Sequence, residues 1–227
     1  MARTRPKGIL FDIGDTLLRE TRYGVADGVA ALQPLGGRGE QLAIELDAKI
    51  AYTHRHSAAE FSVAGWLVAE RAHLGLEGSI ADLELGFLRA AAGLVPYPGA
   101  REALESFRDG GIALGAVSNS TLGHAALAAR LEDLGFGDLV PFVISSADIG
   151  VRKPNARVFA TGIERIGLPA SELWYIGDNW DSDVAGASAA GLFPVWLKPL
   201  GDEREGVEHA RARSWEDIAS LFEAANG

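Results

Sequence analysis

Asp12 closes the apolar stretch "ILF", Ser118 and Asn119 follow the apolar "LGAV", Lys153 stands before Pro154, and Asp178 follows "WYIG" with Asp183 five residues on. A carboxylate can act as a nucleophile and carry a covalent phosphoryl group. It must then approach a dianion, which Coulomb repulsion opposes by about 4 kcal/mol per unit charge pair at ~4 Å and an effective dielectric near 20. Cations have to offset this. Lys153 offers one, and Asp12 with Asp178 forms an oxygen-rich pocket suited to Mg²⁺, a hard ion that takes one or two carboxylates together with phosphate and water. Ser118 and the backbone N–H groups that open the following helix can hold the remaining phosphate oxygens. Asp12, costly to bury at the end of an apolar run, is then kept because it is the reactive group.

Each of these residues also has a plainer use. Asp12 could serve a turn, Ser118 a helix N-cap, Lys153 solvent, and Asp178 with Asp183 the start of a helix. What speaks for chemistry is their joint occurrence, in this order, at the ends of successive strands. An open parallel sheet binds its ligands beyond the carboxyl ends of its strands, so such a sheet would bring all four places to one edge.

The sequence has the rhythm of that sheet. Strand-like runs lie at 7–12, 112–119, 139–146, 172–178 and 193–197, separated by helix-like runs at 102–108, 122–135, 156–167, 184–191 and 214–225. We therefore expect an α/β fold: a Rossmann-like parallel sheet of at least five strands, covered by helices on both faces, built from residues 1–17 and 95–227. Between them, Leu42, Leu46 and Ile50, then Val63, Trp66, Leu67 and Leu74, then Leu83, Phe87, Leu88 and Ala91 recur at helical spacing. Residues 18–94 read as an all-helical cap inserted after the first strand, with a break at "PLGG", residues 34–37. The stretch 198–209 reads as a polar surface connection.

Composition narrows the function. With 48% apolar and 23% charged residues, and no apolar run near the roughly 18 residues a membrane span needs, the chain reads as soluble, with no membrane partner. The basic N-terminus is followed by an apolar run that Asp12 cuts short, which argues against an export signal. The absence of cysteine excludes disulfides, thiolate catalysis and cysteine-ligated metals, and fits a cytoplasmic protein. A net charge of −10 repels polyanions, so nucleic acid is not an expected partner, and an anionic ligand must be met by a local cation. The oligomeric state, monomer or homodimer, is left open.

The segments "FDIGDTL", "AVSNS", "GVRKPNARVF" and "IGDNWDSDVAGASAAG" resemble the four successive motifs of the haloacid dehalogenase superfamily, in the subgroup whose helical cap follows the first motif. "YPGAREALESFRDGG" and the position of the insert also match, so the resemblance covers essentially the whole chain. It implies a Mg²⁺-dependent hydrolase, foremost a phosphatase of small phosphorylated metabolites working through an aspartyl-phosphate. In that case Asp12 is the nucleophile, Ser118 and Lys153 bind the phosphoryl group, and Asp178 binds Mg²⁺, with Asp183 assisting or supporting Lys153. The main-chain carbonyl of Gly14 is then a further metal ligand. Asn119 joins Ser118 on the substrate side.

The chain departs from the pattern at one place. Phosphatases of this family carry a second aspartate two residues after the nucleophile, which protonates the leaving group and later activates water. That position is Gly14, and a carboxylate comes one residue later, at Asp15. Asp15 either takes over the acid/base role, or only caps the turn, or the chain no longer hydrolyses. A missing acid predicts a slower enzyme that favours aryl and acyl phosphates and accumulates the phosphoaspartyl intermediate. Two alternatives stand beside the phosphatase. One is a 2-haloacid dehalogenase, whose relatives also lack the second aspartate but need no metal and do not usually carry the acidic pair kept here at Asp178 and Asp183. The other is a silent member that binds phosphorylated ligands or a protein.

Several suggestive residues have ordinary explanations. His54 and His56, two apart on a helix, point to different faces and read as solvated or capping histidines. Arg22 and Tyr23 could face the substrate from the cap entrance, though a surface role is the simpler one. "GASAAG" lacks the second glycine of a serine-hydrolase elbow and reads as close helix packing. Trp66, Trp174, Trp196 and Trp215 read as core; Trp180, inside "DNWDSD", stands beside the expected metal.

Overall fold

The structure, a computed structural model, describes residues 4–32, 38–198 and 204–225. The chain opens on β1 (Gly8–Phe11), whose four residues are all buried. β2 (Leu18–Tyr23) is followed by four helices, α1 (Val25–Ala31), α2 (Gly39–His56), α3 (Val63–Leu74) and α4 (Ile80–Ala91), and β3 (Ala92–Pro96) then returns beside β2. From there helices and strands alternate: α5 (Ala100–Asp109), β4 (Ala113–Ser118), α6 (His124–Asp133), β5 (Val143–Ser145), the short α7 (Ser146–Ile149) and α8 (Ala156–Ile166). After β6 (Leu173–Gly177) a π-helical segment, Trp180–Ala185, runs into α9 (Gly186–Ala189); β7 (Phe193–Leu197), β8 (Ala210–Ala212) and α10 (Trp215–Ala224) end the chain.

Six strands form one sheet in the order β5-β4-β1-β6-β7-β8, with every neighbouring pair parallel. Alternate residues of β1 feed two separate cores, as the pleat requires. Ile9 and Phe11 pack with Trp174, Ile176, Phe107 and Phe222 on the face covered by α5 and α10. Leu10 packs with Val117, Tyr175, Val158 and Phe159 on the face covered by α8. A strand buried on both faces must be apolar throughout, which is why "GILF" shows no polar alternation. The register sets Phe11 opposite Ala116 of β4 and Ile176 of β6, so the residues that follow these three strands emerge side by side.

Residues 18–94 are not all helical. Both ends of this segment are strands: β2 and β3 form an antiparallel two-stranded ribbon, with Leu18 opposite Pro96 and Tyr23 opposite Ala92. The pairing joins residues 69 to 78 positions apart and buries only Leu18 of β2, so no local periodicity marks it. The helices between them follow the apolar spacing: Leu46, Val63, Trp66, Leu67, Leu74, Phe87, Leu88 and Ala91 are buried. Ser62 and Ser79 cap α3 and α4 by accepting from Gly65 N and Asp82 N. The break at 34–37 lies outside the described residues. In the polar connection residues 198 and 204–209 are described, and β8, which follows, adds a sixth strand. None of the described helices is long and apolar enough to cross a membrane.

Candidate active site

The loop after β1 is held from both sides. Asp12 N donates to Ile176 O at 2.9 Å, and Leu17 N and Leu18 N both donate to Ile13 O. Trp215, read as a core residue, also donates from Nε1 to Thr16 O at 2.9 Å, which ties α10 to this loop. Asp12 Oδ1 accepts from Ile13 N at 2.8 Å and lies 3.2 Å from Lys153 Nζ. One oxygen of the carboxylate is therefore fixed, which aims the other.

Lys153 is buried, and its ammonium donates to Val117 O at 3.1 Å, Tyr175 Oη at 2.7 Å and Asp183 Oδ1 at 2.7 Å. Burial pulls its pKa down, but Asp12 and Asp183 beside it more than offset this and hold it above the ordinary lysine value. Asn119 fixes the lysine's backbone: its Oδ1 accepts from Lys153 N at 2.7 Å and its Nδ2 donates to Lys153 O at 3.2 Å. Ser118 ends β4, is buried, and stands beside the Asp12 carboxyl, whose pKa it pulls down. Tyr175 was absent from the sequence reading; its hydroxyl donates to Val117 O at 2.8 Å, and nothing in the pattern "LWYIG" separates it from an ordinary core aromatic.

The acidic partners arrive through the turn after β6. Asn179 accepts from Asp181 N and Ser182 N, and the π-helical turn that follows carries Asp183 back under the strand. A Cβ at Gly177 would lie 2.5 Å from the Asp183 side chain, so only glycine lets the two segments approach. Asp183 is fully buried, with Oδ1 taken by Lys153 and Oδ2 accepting from Asn179 N at 3.0 Å. Asp178 is half-buried, and Trp196 Nε1 donates to its carbonyl at 2.8 Å. Trp180 stacks edge-on against Trp196 and His209, with centroids at 4.9 and 5.1 Å.

Asp12, Asp178 and Asp183 each offer an oxygen, and these oxygens lie within 4.8 Å of one another. Burial, together with the charge of Asp183, pushes Asp12 up to about 6 against the pull of Lys153. Burial and the charges of Asp183 and Asp12 push Asp178 up to about 7. One ammonium does not neutralise three carboxylates. An all-oxygen donor set under mutual repulsion fits a hard divalent ion such as Mg²⁺.

The loop 12–17 separates two cavities. One, of about 230 Å³, runs from Ile13, Gly14, Ser118 and Asn119 to the helical insert at Tyr23 and His54. The other, of about 430 Å³, is bounded by Asp15, Asp178, Tyr97 and Trp215. Gly14 thus opens toward the insert, where a Cβ would meet nothing within 4 Å. Asp15 opens the opposite way, with its backbone in the left-handed region at φ 51° and its N–H donating to Leu18 O at 2.8 Å.

His54 is exposed, as read, but it has a buried partner: its Nε2 lies 2.6 Å from Glu60 Oε1. Glu60 lies beyond the end of α2, where helical spacing gives no signal. His56 is exposed against Tyr52 O, and Arg22 pairs on the surface with Asp27, whereas Tyr23 reaches the cavity.

Residues 6–191 match the haloacid dehalogenase-like hydrolase family. The chain is 30% identical over 225 residues to the ribulose-1,5-bisphosphate 5-phosphatase of Halopiger xanaduensis, covering 89% of this chain and 88% of that one. It is 30% identical over 202 residues to the glyceraldehyde 3-phosphate phosphatase of Methanopyrus kandleri, covering 85% and 84%. Among solved structures, a phosphatase from Thermococcus onnurineus superposes with a TM-score of 0.64 at 22% identity, covering 95% of this chain and 97% of that one.

Proposed function

Because the chain belongs to the haloacid dehalogenase-like hydrolases, we propose that it is a Mg²⁺-dependent phosphatase of small phosphorylated metabolites that works through an aspartyl-phosphate on Asp12. The observation that carries this is the pairing of a buried carboxylate with a buried ammonium at 3.2 Å, beside two further carboxylates, at the carboxyl edge of the sheet. The names of these two relatives, both phosphatases of small sugar phosphates, point the same way.

The free oxygen of Asp12 attacks phosphorus, a C–O–P linkage forms, and the bond from phosphorus to the substrate oxygen breaks. Lys153 and the Ser118 hydroxyl hold phosphoryl oxygens as charge moves across them. Asp183 and Tyr175 keep the ammonium aimed, and Asn119 fixes the backbone that carries it. Water then cleaves the acyl phosphate and returns the Asp12 carboxylate and inorganic phosphate. Asp178, Asp12 and the Gly14 carbonyl would hold the divalent ion, with Asp183 supporting from behind; when bound it draws charge from the phosphoryl group and relieves the repulsion among the carboxylates. We read Asp15 as a turn residue, because it faces away from the cavity that Ser118 and Gly14 share. Residues 18–94 act as the cap that covers this cavity and chooses the substrate.

The test is phosphate release from a panel of phosphorylated metabolites with Mg²⁺ and with chelator, for the native chain and Asp12→Asn. Turnover that needs both Asp12 and the metal supports the proposal. Turnover indifferent to either one, or halide release from 2-haloacids in its place, overturns it.

A further inference from the structure

The insert side of the 230 Å³ cavity is built around a carboxylate that the reaction above does not use. Glu60 has a side chain only 1% exposed. Its Oε1 accepts from Phe61 N at 3.0 Å and meets His54 Nε2 at 2.6 Å; its Oε2 accepts from Ser146 Oγ at 2.7 Å. Arg152 Nε lies 3.6 Å from the same Oε2, an ion-pair distance and too long for a hydrogen bond. Phe61 N, His54 and Ser146 Oγ thus lie closer to Glu60, which holds the guanidinium by charge, while no side-chain or backbone acceptor among the described residues takes a hydrogen bond from the Arg152 guanidinium. Arg152 and His54 each keep 30% of their side chains exposed and line the cavity with Ser118 and Asn119.

Resting on the phosphatase reading above, we infer that Arg152, fixed by Glu60 and flanked by His54, binds a second anionic group, a carboxylate or a second phosphate, on the leaving-group side of the substrate. Its neighbour Lys153 turns inward to the phosphoryl group, so consecutive residues of one loop address the two ends of the same molecule. A guanidinium presents paired N–H donors matched to carboxylate and phosphate oxygens. The cavity is smaller than the roughly 300–1,000 Å³ usual for drug-sized ligands, so the leaving group has only a few carbons. The substrate class is a short phosphorylated acid or a short bisphosphate.

The experiment compares 3-phosphoglycerate with glycerol 3-phosphate, and propanediol bisphosphate with its monophosphate, by kcat and KM. Binding of the same pairs to Asp12→Asn protein by calorimetry repeats the comparison without turnover. A charge-assisted hydrogen bond is worth about 10- to 100-fold. The native chain should prefer one doubly anionic partner by that factor, mainly through KM; the preference should collapse in Arg152→Gln and partly return in Arg152→Lys. Which pair shows the preference tells carboxylate from phosphate. No preference in either pair, or an equal loss for both members in Arg152→Gln with a lower Tm, reduces the cluster to a structural clasp and overturns the inference. Hydrolysis of p-nitrophenyl phosphate that depends on Asp12 tests the phosphatase reading separately: it can persist while the preference is absent, and the calorimetric preference can persist while it fails.

Discussion

Gly14→Asp should convert a slow phosphatase of activated esters into a faster one for alkyl esters. The position tolerates the change sterically: the Gly14 backbone is outside the left-handed region and a Cβ would meet open space, so the metal-free stability cost is electrostatic, about 1.4 kcal/mol for each pH unit by which the new carboxyl is raised. The new carboxyl enters the field that already holds Asp12 at about 6 and Asp178 at about 7. At ~6 Å and an effective dielectric near 20, each neighbouring carboxylate opposes its ionisation by about 3 kcal/mol, roughly two pH units. The added group is therefore partly protonated near neutrality, as a general acid must be. General acid catalysis is typically worth about 10²–10⁴-fold, and an alkoxide needs the proton whereas nitrophenolate does not. The assay is kcat for glycerol 3-phosphate and p-nitrophenyl phosphate with Mg²⁺, plus acid-quenched phosphoprotein. Alkyl turnover should rise by about 10²-fold or more; with the aryl ester, where breakdown of the acyl phosphate is expected to limit the native chain, the phosphoprotein expected to accumulate should disappear and kcat should rise with its faster hydrolysis. Asp15→Asn is the control: asparagine tolerates the left-handed backbone, and alkyl turnover should hold. Unchanged alkyl turnover in folded Gly14→Asp, or its collapse in Asp15→Asn, refutes the reasoning.

Two further outcomes follow from the buried charges. The folded-state pKa of Asp178, about 7, lies above its value in the unfolded chain, so the folded protein binds more protons between about pH 4 and 7. Metal-free stability should therefore fall as pH rises through that window. Discounted for partial exposure, the ionisation costs about 1–2 kcal/mol, so Asp178→Asn should raise the metal-free Tm at pH 8 by roughly 3–6 °C, while Mg²⁺ should stabilise the native chain and not the variant; a metal-free Tm that rises with pH contradicts this. Tyr175→Phe removes the hydroxyl between Lys153 Nζ and Val117 O. A buried hydrogen bond lost in this way costs about 1–3 kcal/mol, so thermal melts should drop by several degrees and kcat should fall with little change in KM, whereas an unaltered melt would show that the hydroxyl does not hold the lysine.

Most of the candidate site residues were legible because Asp12, Ser118 and Asp178 close local apolar runs, and parallel strands buried on both faces force such runs. Asp12, Ser118 and Asp178 could be placed at one edge from that pattern, and Lys153 from the loop that follows the third run. What escaped depends on distant partners. Leu18–Tyr23 finds its strand neighbour at Ala92–Pro96, and Trp215 reaches Thr16 across 199 positions. The π-helical turn at Trp180–Ala185 is set by the Asn179 side chain and the approach of Asp183 to Gly177, neither of which alters hydrophobic period. The partner of His54 escaped because Glu60 sits past a helix end, where geometry within α2 says nothing.

The same contacts divide the labour between sheet and insert. Asp12, Ser118 and Asp178 follow β1, β4 and β6, whose ladders fix their relative positions, so the reacting groups do not depend on the insert. The insert instead grips the loops after β4 and β5: Val63 N donates to Thr121 O, Glu60 N to Gly150 O, Arg152 N to Ala58 O, and Gly123 N to Glu84 Oε1. Each bond is worth about 1 kcal/mol net, and the apolar packing of α4 against α6 adds to them. Those loops also carry Asn119 and Lys153, but the ammonium is held from the sheet by Val117 O, Tyr175 and Asp183, so moving the insert should uncover the site without releasing the lysine.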